Sequence, residues 1–413
     1  MTLNQIAEHY VKLVLAVGQH DAGYVDAYIG PPSWQNEAQQ SPATPLSELL
    51  AQADTLLQQA DALPTAPQDQ LERQEFLRLQ LHAVKAFIAQ LNGSKLPFDA
   101  ESKALYDAVS PALTTADLDI TLAELAALLP EEIQGTDLNA RLSAYNKAFE
   151  IPRDKLDAVF TAAINEARAR TRRYIALPEH ESFQVAYVTD KVWSAYNWYK
   201  GNSHSLIEVN TDFPMFISRA IDLASHEAYP GHHVFNVLIE NELVKQKGWM
   251  EYAIYPLYSP MSFLAEGSAN YGIEVAFPHA ERMQFEQEVL FPLAGIDPAK
   301  AERYYQIQAV LQKLSYAGNM VAQQYLDGMI DKDTALAMLM KYSLSDADRS
   351  AQRLRFIEHL RSYVINYNLG QDVVQAYIEK RAGTENQALR WQVLTDLLRH
   401  PKSASMMTDS LLA

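Results

Sequence analysis

Residues 225–233 read Ser-His-Glu-Ala-Tyr-Pro-Gly-His-His, the densest run of metal-binding residue types in the chain. The run holds three of the 11 histidines, with a carboxylate beside the first of them. Imidazole and carboxylate are the ligands that Zn²⁺ takes when no thiolate is available, and the chain has 0 cysteines. The run therefore predicts a site for one divalent metal ion, and zinc is the expected ion.

The spacing of these histidines differs from the common His-Glu-x-x-His pattern, in which two histidines lie one helical turn apart. Pro230 stands where the second histidine is expected. On a straight helix His233 would share the face of His226 but lie ~10 Å further along the axis, and His232 would point elsewhere. Proline and glycine disfavour a straight helix here, so a kink is expected to bring His232 to the second ligand position, with His233 as the alternative. In the competing interpretation Pro-Gly simply ends a helix and the histidines are polar cap residues.

A third ligand is expected from Glu266, which follows the apolar residues 263–265. A carboxylate in such a setting is costly unless it is paired or binds an ion. The interval from His226 to Glu266 has room for a helix, a loop that contains Pro256 and Pro260, and a second helix that returns antiparallel. Glu274 follows on the same predicted helix and is expected either to orient a histidine ligand or to be solvated.

Glu227 is the expected general base. It directly follows His226, so on a helix it points ~100° away from it, beside a metal ion and not onto it. With His226, His232 and Glu266 as ligands, one coordination position stays open for water, whose proton Glu227 would accept. These residues predict a zinc-dependent hydrolase that acts on an amide.

Two motifs together resemble the bacterial DUF885 proteins: His-Glu-x-x-Pro-Gly-His-His from residue 226, and Glu-Gly-x-Ala-x-Tyr from residue 266. Residues 361–370 are similar to the C-terminal segment of that family, and residues 20–32 are similar to the start of its shorter members. The resemblance thus covers nearly the whole chain. It has two departures, since Phe235 stands where relatives often carry glutamine and Ser268 replaces a usual tryptophan.

Members of this family are regarded as zinc-dependent, peptidase-like helical enzymes distantly related to gluzincin peptidases. The resemblance implies a peptidase of carboxypeptidase or oligopeptidase type, with a peptide or small amide as substrate. It implies that Tyr367 stabilises the oxyanion, with Tyr363 and Arg361 behind it. In a carboxypeptidase Arg361 is also the expected partner of the substrate's terminal carboxylate. In the competing interpretation these tyrosines lie on a long helix and only pack in the hydrophobic core of the protein.

Bulk composition limits the other classes of function. The hydrophobic fraction of 48% suffices for a large core, and the net charge of −17 disfavours nucleic acid and anionic membranes as partners. The absence of cysteine excludes disulfides. The amphipathic start of the chain has no basic export signal, and no window approaches the ~20 apolar residues of a membrane span. A cytoplasmic protein is therefore expected, while the oligomeric state is not predicted.

The expected fold is mainly α: a large helical body of metallopeptidase type, with a small antiparallel sheet next to the metal-site helix. Residues 1–175 form an N-terminal helical region and residues 176–413 a metal-site region, in one continuous fold around a central cleft. Alternating stretches at 183–188, 193–199 and 205–210 predict the three strands. An edge strand there either binds a substrate backbone or only covers the core. Gly370 is expected to end the last long helix.

Two features near the boundary between the two regions receive no chemical role. The pair His180-Glu181 has no later histidine nearby, and the arginines of residues 168–173 are expected to be mostly solvated at a helix end. Two other functions stay open. The same centre suits a metallohydrolase of another ester or amide bond, and a helical protein could also bind a peptide without cutting it, around a structural or vestigial metal.

Overall fold

The computed structural model describes residues 1–64, 68–191 and 193–412, and it confirms the mainly α fold with a small sheet. The first helix begins at a capping box, in which Thr2 accepts a hydrogen bond from the backbone N–H of Gln5 and the Gln5 side chain accepts one from that of Thr2. The helices of the N-terminal region are α1 (Leu3–Val17), α2 (Pro32–Gln40), α3 (Leu46–Asp61), α4 (Gln68–Leu91), α5 (Phe98–Tyr106), α6 (Thr115–Leu128), α7 (Leu138–Asn146) and α8 (Leu156–Arg172).

The second region continues with further helices, and the first three of them carry the predicted ligands. They are α9 (Ser218–Glu227), α10 (His232–Leu238), α11 (Pro260–Ala276), α12 (His279–Phe285), α13 (Phe291–Ala294), α14 (Ala301–Gln312), α15 (Ala317–Leu326), α16 (Lys332–Tyr342), α17 (Ala347–Leu360), α18 (Ile365–Ala382), α19 (Gln387–Arg399) and α20 (Ala404–Leu412). π-Helical turns extend α10 over Ile239–Gln246 and α12 over Glu286–Leu290. Among the described residues, no helix is both long enough and apolar enough to cross a membrane.

The strands form two small sheets, made of β1 (Val25–Tyr28), β2 (Ser182–Val188), β3 (Ala195–Tyr199), β4 (His204–Asn210) and β5 (Ile254–Pro256). β1 pairs antiparallel with β5, and the other sheet has the order β2-β4-β3. β3 is antiparallel to β4 as expected, but β2 is parallel to β4, so this sheet is mixed and not wholly antiparallel. Alternation of apolar residues predicts that a stretch is a strand, but it does not determine which neighbour the strand pairs with.

One hydrophobic core joins the two predicted regions. It extends from Ile6 in α1 to Met407 in α20 and includes buried side chains from both. Charged pairs also cross between the regions: the guanidinium of Arg73 binds the carboxylate of Glu251, and both side chains are buried. Breaking one partner of such a pair leaves a buried charge, so these contacts tie the N-terminal helices firmly to the site-bearing part.

Helices α11 and α18 cross where two glycines meet. A Cβ atom on Gly267 would lie 2.4 Å from the carbonyl oxygen of Gly370. The expectation that Gly370 ends a helix is therefore wrong, because α18 continues through it to Ala382. The glycine allows two helix backbones to approach closely, and it does so directly behind Glu266.

Candidate metal centre

The helix that carries His226 stops one residue after it, and a new helix begins at His232. The break over residues 228–231 contains the proline and glycine from which a kink was predicted. The backbone N–H of Gly231 donates to the carbonyl oxygen of Ser225 at 2.9 Å. A Cβ atom at position 231 would lie 1.9 Å from the carbonyl oxygen of His226, so only glycine fits there. The chain thereby turns back and places His232 beside His226.

Side chains from three helices meet at this break: His226, His232 and Glu266. The two Nε2 atoms lie 3.0 Å apart. The carboxylate oxygens of Glu266 lie 3.2 Å from Nε2 of His226 and 3.7 Å from Nε2 of His232. Metal–ligand bonds of ~2.0–2.2 Å at tetrahedral angles separate the ligand atoms by roughly 3.3 Å. The structure thus brings the three predicted ligands together at a spacing that suits an ion of the size of Zn²⁺.

The carboxylate of Glu266 indicates that these groups fit a cation. Its Oε1 atom accepts a hydrogen bond from the hydroxyl of Tyr363 at 2.8 Å. Its Oε2 atom is buried and has no hydrogen-bond partner among the described residues. A buried carboxylate oxygen without a donor is costly, and this one faces two imidazole nitrogens that are themselves in contact. A divalent ion between them would satisfy all three atoms.

Asn270 orients the first histidine. Its side-chain amide donates to the carbonyl oxygen of Tyr367 at 2.8 Å, and its Oδ1 atom therefore faces Nδ1 of His226, also at 2.8 Å. The oxygen can only accept, so Nδ1 carries the proton and the lone pair of Nε2 points to the centre. From the sequence, Glu274 was the candidate for this role. Glu274 is exposed and accepts a hydrogen bond from Gln371, so the orienting residue was missed.

The charges of the cluster are strongly coupled. Burial opposes protonation of His226, but its contact with the carboxylate of Glu266 and the charges of Glu227 and Glu266 raise its pKa to about 9. Burial lowers the pKa of His232 to about 4. Although burial raises the pKa of Glu266, the two histidines hold it below its usual value. A proton and a metal ion would therefore compete for Nε2 of His226, and metal binding would release that proton.

Glu227 lies beside the three predicted ligands and is only 5% exposed. Burial, countered by the charge of His226, raises the pKa of its carboxyl group to about 7. In the described part of the chain this carboxylate has no hydrogen-bond partner, whereas the backbone carbonyl of Glu227 accepts one from Asn197 of β3 at 2.6 Å. A fixed carboxylate that titrates near neutrality and is free to accept a proton has the properties of a general base.

A group of tyrosines surrounds Glu266. Tyr363 donates to its carboxylate, and the ring of Tyr367 packs edge-on against that of Tyr363, with centroids 5.8 Å apart. Burial together with the negative charge of Glu266 raises the pKa of all four members of the group, so they remain protonated donors at neutral pH. They are Tyr196, Tyr255, Tyr363 and Tyr367.

Asp26 is a second acidic residue that the sequence analysis missed. The pairing of β1 with β5 is irregular between Val25 and Ala27, so Asp26 is the extra residue of a bulge, a feature that redirects a side chain. Its carboxylate accepts a hydrogen bond from the hydroxyl of Tyr196. Burial raises the pKa of Asp26 to about 6, against the effect of that hydrogen bond, and the charge of Glu266 adds to the rise. The only signal in the sequence was its place in the opening segment that resembles the family.

His233, the alternative second ligand, does not reach the cluster. It is fully buried, and its Nε2 atom lies 3.0 Å from a carboxylate oxygen of Glu181 while its Nδ1 atom lies 2.8 Å from the hydroxyl of Ser205. The carboxylate can only accept, so Nε2 carries the proton and Nδ1 accepts from the serine. Both ring nitrogens are engaged on the side of α10 that faces the sheet. The choice between the two histidines is thus corrected to His232 alone.

Glu181, to which no role was given, anchors the helix break. Its buried carboxylate accepts hydrogen bonds from the hydroxyl of Tyr229 at 2.6 Å and from the ring of His233. The guanidinium groups of Arg168 and Arg172 also bind it. These two arginines are therefore not simply solvated as expected. The local sequence around Glu181 gave no hint of this, because the partners of its carboxylate lie between 9 and 52 residues away in the chain.

Arg361 does not belong to the centre. Its guanidinium binds the carboxylate of Glu101 at 2.7 Å, and the backbone N–H and hydroxyl of Ser362 bind the same carboxylate. The cavity that Arg361 lines, of about 150 Å³, includes none of the three predicted ligands. The residue has a φ of 51°, and α17 ends directly before it, which turns its side chain toward α5. The expectation that Arg361 binds a substrate carboxylate is corrected accordingly.

Comparison with known proteins supports the fold. No family model matches the chain, and no curated protein matches it. Two solved structures resemble it with a TM-score of 0.51 each: one described as a "putative lipoprotein" from Colwellia psychrerythraea, at 17% identity, and one from Shewanella oneidensis described as a putative lipoprotein of unknown function, at 13%. The alignments cover 88% and 92% of this chain, and 66% and 76% of those chains. The chain therefore spans just under two thirds of the Colwellia protein, and at these identities the likeness concerns the fold alone.

Proposed function

We propose that this protein is a zinc-dependent hydrolase that cleaves an amide bond of a peptide. In this proposal His226, His232 and Glu266 bind one Zn²⁺ per chain, and Glu227 is the general base. Two histidines and one carboxylate, with a fourth position open, form a known ligand set of catalytic zinc. The resemblance of the sequence motifs to the DUF885 proteins supports the same activity.

The observation that carries the proposal is the buried Oε2 atom of Glu266. It lacks a hydrogen-bond donor and lies 3.2 Å from Nε2 of His226. The hydrogen bond of His226 to Asn270 turns the lone pair of that Nε2 atom toward the same point. A purely structural carboxylate in this place would be expected to have a second donor, as Glu181 has for each of its oxygens.

A bound Zn²⁺ would polarise the substrate carbonyl and lower the pKa of a water molecule toward ~7. Glu227 would accept the proton of that water on its free carboxylate and then donate it to the leaving nitrogen. Tyr367 is the proposed donor to the oxyanion, since its pKa stays well above the usual value and its hydroxyl keeps its proton. Tyr363 would hold Glu266 in place through its hydrogen bond to Oε1.

The strand next to the centre supports a peptide as the substrate. Within the described residues β3 pairs only with β4 and has one free edge. Asn197 of this strand binds the backbone of Glu227, so the edge lies close to the general base. An extended peptide could add to such an edge through main-chain hydrogen bonds.

Cytoplasmic location remains a prediction, which fractionation of the source cells would test.

The Glu227→Gln variant tests the proposal. The purified protein is expected to contain one zinc per chain by elemental analysis and to cleave members of a mixed peptide library, read by mass spectrometry. Glu227→Gln should keep the zinc and lose on the order of 10²- to 10⁴-fold in turnover, the usual contribution of a general base. Glu274→Gln is the control, because it makes the same change of carboxylate to amide at an exposed position of α11 outside the predicted centre and should leave turnover unchanged.

Two results would overturn the proposal in different ways. Full turnover in Glu227→Gln would exclude Glu227 as the base. An unchanged library in the presence of bound zinc would instead favour a protein that binds peptides without cutting them. A metal content dominated by iron would redirect the assignment, since two histidines and one carboxylate also suit Fe(II).

A further inference from the structure

Arg353 in α17 is a cation without a counter-charge. It is half-buried, and among the described residues no carboxylate and no other acceptor bonds its guanidinium. Its Cζ atom lies 5.0 Å from the ring centroid of Phe356. Burial lowers the pKa of Arg353. Burying an unpaired charge is costly, so its place in the fold indicates that a ligand supplies the anion.

The position of Arg353 links it to the metal centre. Phe356, on which its guanidinium lies, packs against the ring of Tyr367 with centroids 6.3 Å apart. Tyr367 in turn packs on Tyr363, which binds Glu266. A continuous series of contacts thus leads from the guanidinium of Arg353 to the carboxylate of Glu266. A substrate that extends from the centre past Tyr367 would meet the guanidinium.

Two other cations have carboxylate partners. Arg361 is bound to Glu101, and Arg219, which lies close enough to Glu227 to influence its pKa, has Asp222 as a partner. Arg353 is packed on its second side by Gly318, where a Cβ atom would lie 3.3 Å from Nη2. This glycine leaves the guanidinium room that any larger residue would remove. The fork of an arginine matches a carboxylate through two parallel hydrogen bonds.

We propose that Arg353 binds the C-terminal carboxylate of the peptide substrate, which makes the protein a peptidase that acts near free C-termini. This inference rests on the proposed function for its substrate class. The terminal carboxylate is the anion that every short peptide carries, and an acidic side chain is the other source of the same chemistry. The length of the preferred substrate will show how many residues lie between the cleaved bond and the C-terminus.

The test compares acetylated peptides with one to three residues beyond the cleaved bond, each as the free acid and as the C-terminal amide. A third form has an amidated terminus and a glutamate side chain. The wild-type protein is expected to prefer the free acid in kcat/KM by on the order of 10- to 100-fold, the contribution of a hydrogen bond between charged groups. Arg353→Gln should lose this preference, because its kcat/KM for the free acid falls to that for the amide. The control is Arg355→Gln, which removes an exposed arginine from the same helix.

Each outcome decides between the two proposals. Equal turnover of acid and amide by the wild type, or an acid preference that survives in Arg353→Gln, would overturn the role of Arg353 and leave the hydrolase intact. Preference for the glutamate side chain would overturn the terminal assignment. If no peptide is cleaved, calorimetry measures peptide binding to Glu227→Gln instead. The free acid should then bind at least tenfold more tightly than the amide, and adding Arg353→Gln should abolish this difference. That result would support the anion site although the hydrolase proposal fails. Arg353→Lys keeps the positive charge but not the forked geometry, so its preference for the free acid should lie between those of the wild type and Arg353→Gln. This variant guards against a folding defect as the cause of the loss.

Discussion

His232 and His233 are neighbours in the chain, yet their ring nitrogens face different surroundings. His232 directs Nε2 to the same point as His226, and this atom lies 3.7 Å from the carboxylate of Glu266. His233 is held between Glu181 and Ser205 and has no free lone pair. The sequence could narrow the second ligand to this pair, but only partners that are distant in sequence distinguish the two residues.

Glu181 should make the stability of the protein depend on pH. Although burial raises its pKa, hydrogen bonds from His233, Tyr229 and Arg168 together lower it to about 2. A carboxylate with a lowered pKa stabilises the folded state fully above its unfolded pKa and loses this effect as pH falls toward the folded value. The contribution is thus expected to be complete above about pH 4.5 and to fade between pH 4.5 and 2, by about 3 kcal/mol in all.

Urea unfolding of the wild type and of Glu181→Gln at pH 6 and pH 3 measures this contribution. The difference in unfolding free energy between the two proteins should be large at pH 6 and shrink at pH 3. Glu281→Gln serves as the control, since it removes an exposed carboxylate that also binds an arginine. A gap between wild type and Glu181→Gln that stays constant with pH would contradict the lowered pKa of Glu181.

At the scale of elements, the crossing of α11 and α18 sets the place of Glu266. Gly267→Ala would push a methyl group against the backbone of Gly370, where the available distance is 2.4 Å. Overpacking of this kind costs about 1–3 kcal/mol, and a rigid backbone places it at the upper end. Denaturant unfolding should show this loss in Gly267→Ala. Gly23→Ala, whose Cβ atom would meet only a side-chain oxygen at 3.4 Å, should show little; equal effects in the two variants would argue against the close crossing.

The elements also show what the sequence could predict and what it could not. Local signals were sufficient for the break at residues 228–231 and for strands β2, β3 and β4, because proline, glycine and alternating apolar residues act on their own neighbourhood. The role of Gly370 could not be predicted from its neighbours in sequence, because this glycine allows another helix to approach closely. The parallel pairing of β2 with β4 and the bulge at Asp26 likewise depend on partners far along the chain.

At the scale of the whole molecule, the proposed ligands come from α9, α10 and α11, which meet only in the folded chain. Residues Ile6 to Met407 share one core, and buried pairs such as Arg73 with Glu251 join its two regions. Binding of an ion at the junction of these helices would therefore require that the chain as a whole is folded. Its binding free energy should add to the stability of the folded state, because the unfolded chain does not assemble the site.

Saturation with Zn²⁺ should consequently raise the melting temperature, and a chelator should lower it again. Free metal at 100 times the dissociation constant adds about 2.7 kcal/mol, which for a chain of this size corresponds to a rise of a few degrees. Calorimetric scans with zinc and with chelator measure the effect. His232→Ala and Glu266→Gln should lose the response, whereas Glu227→Gln should keep it although it no longer turns over substrate. Identical melting curves with zinc and with chelator would contradict a metal site, and a response kept by His232→Ala would contradict the choice of ligand.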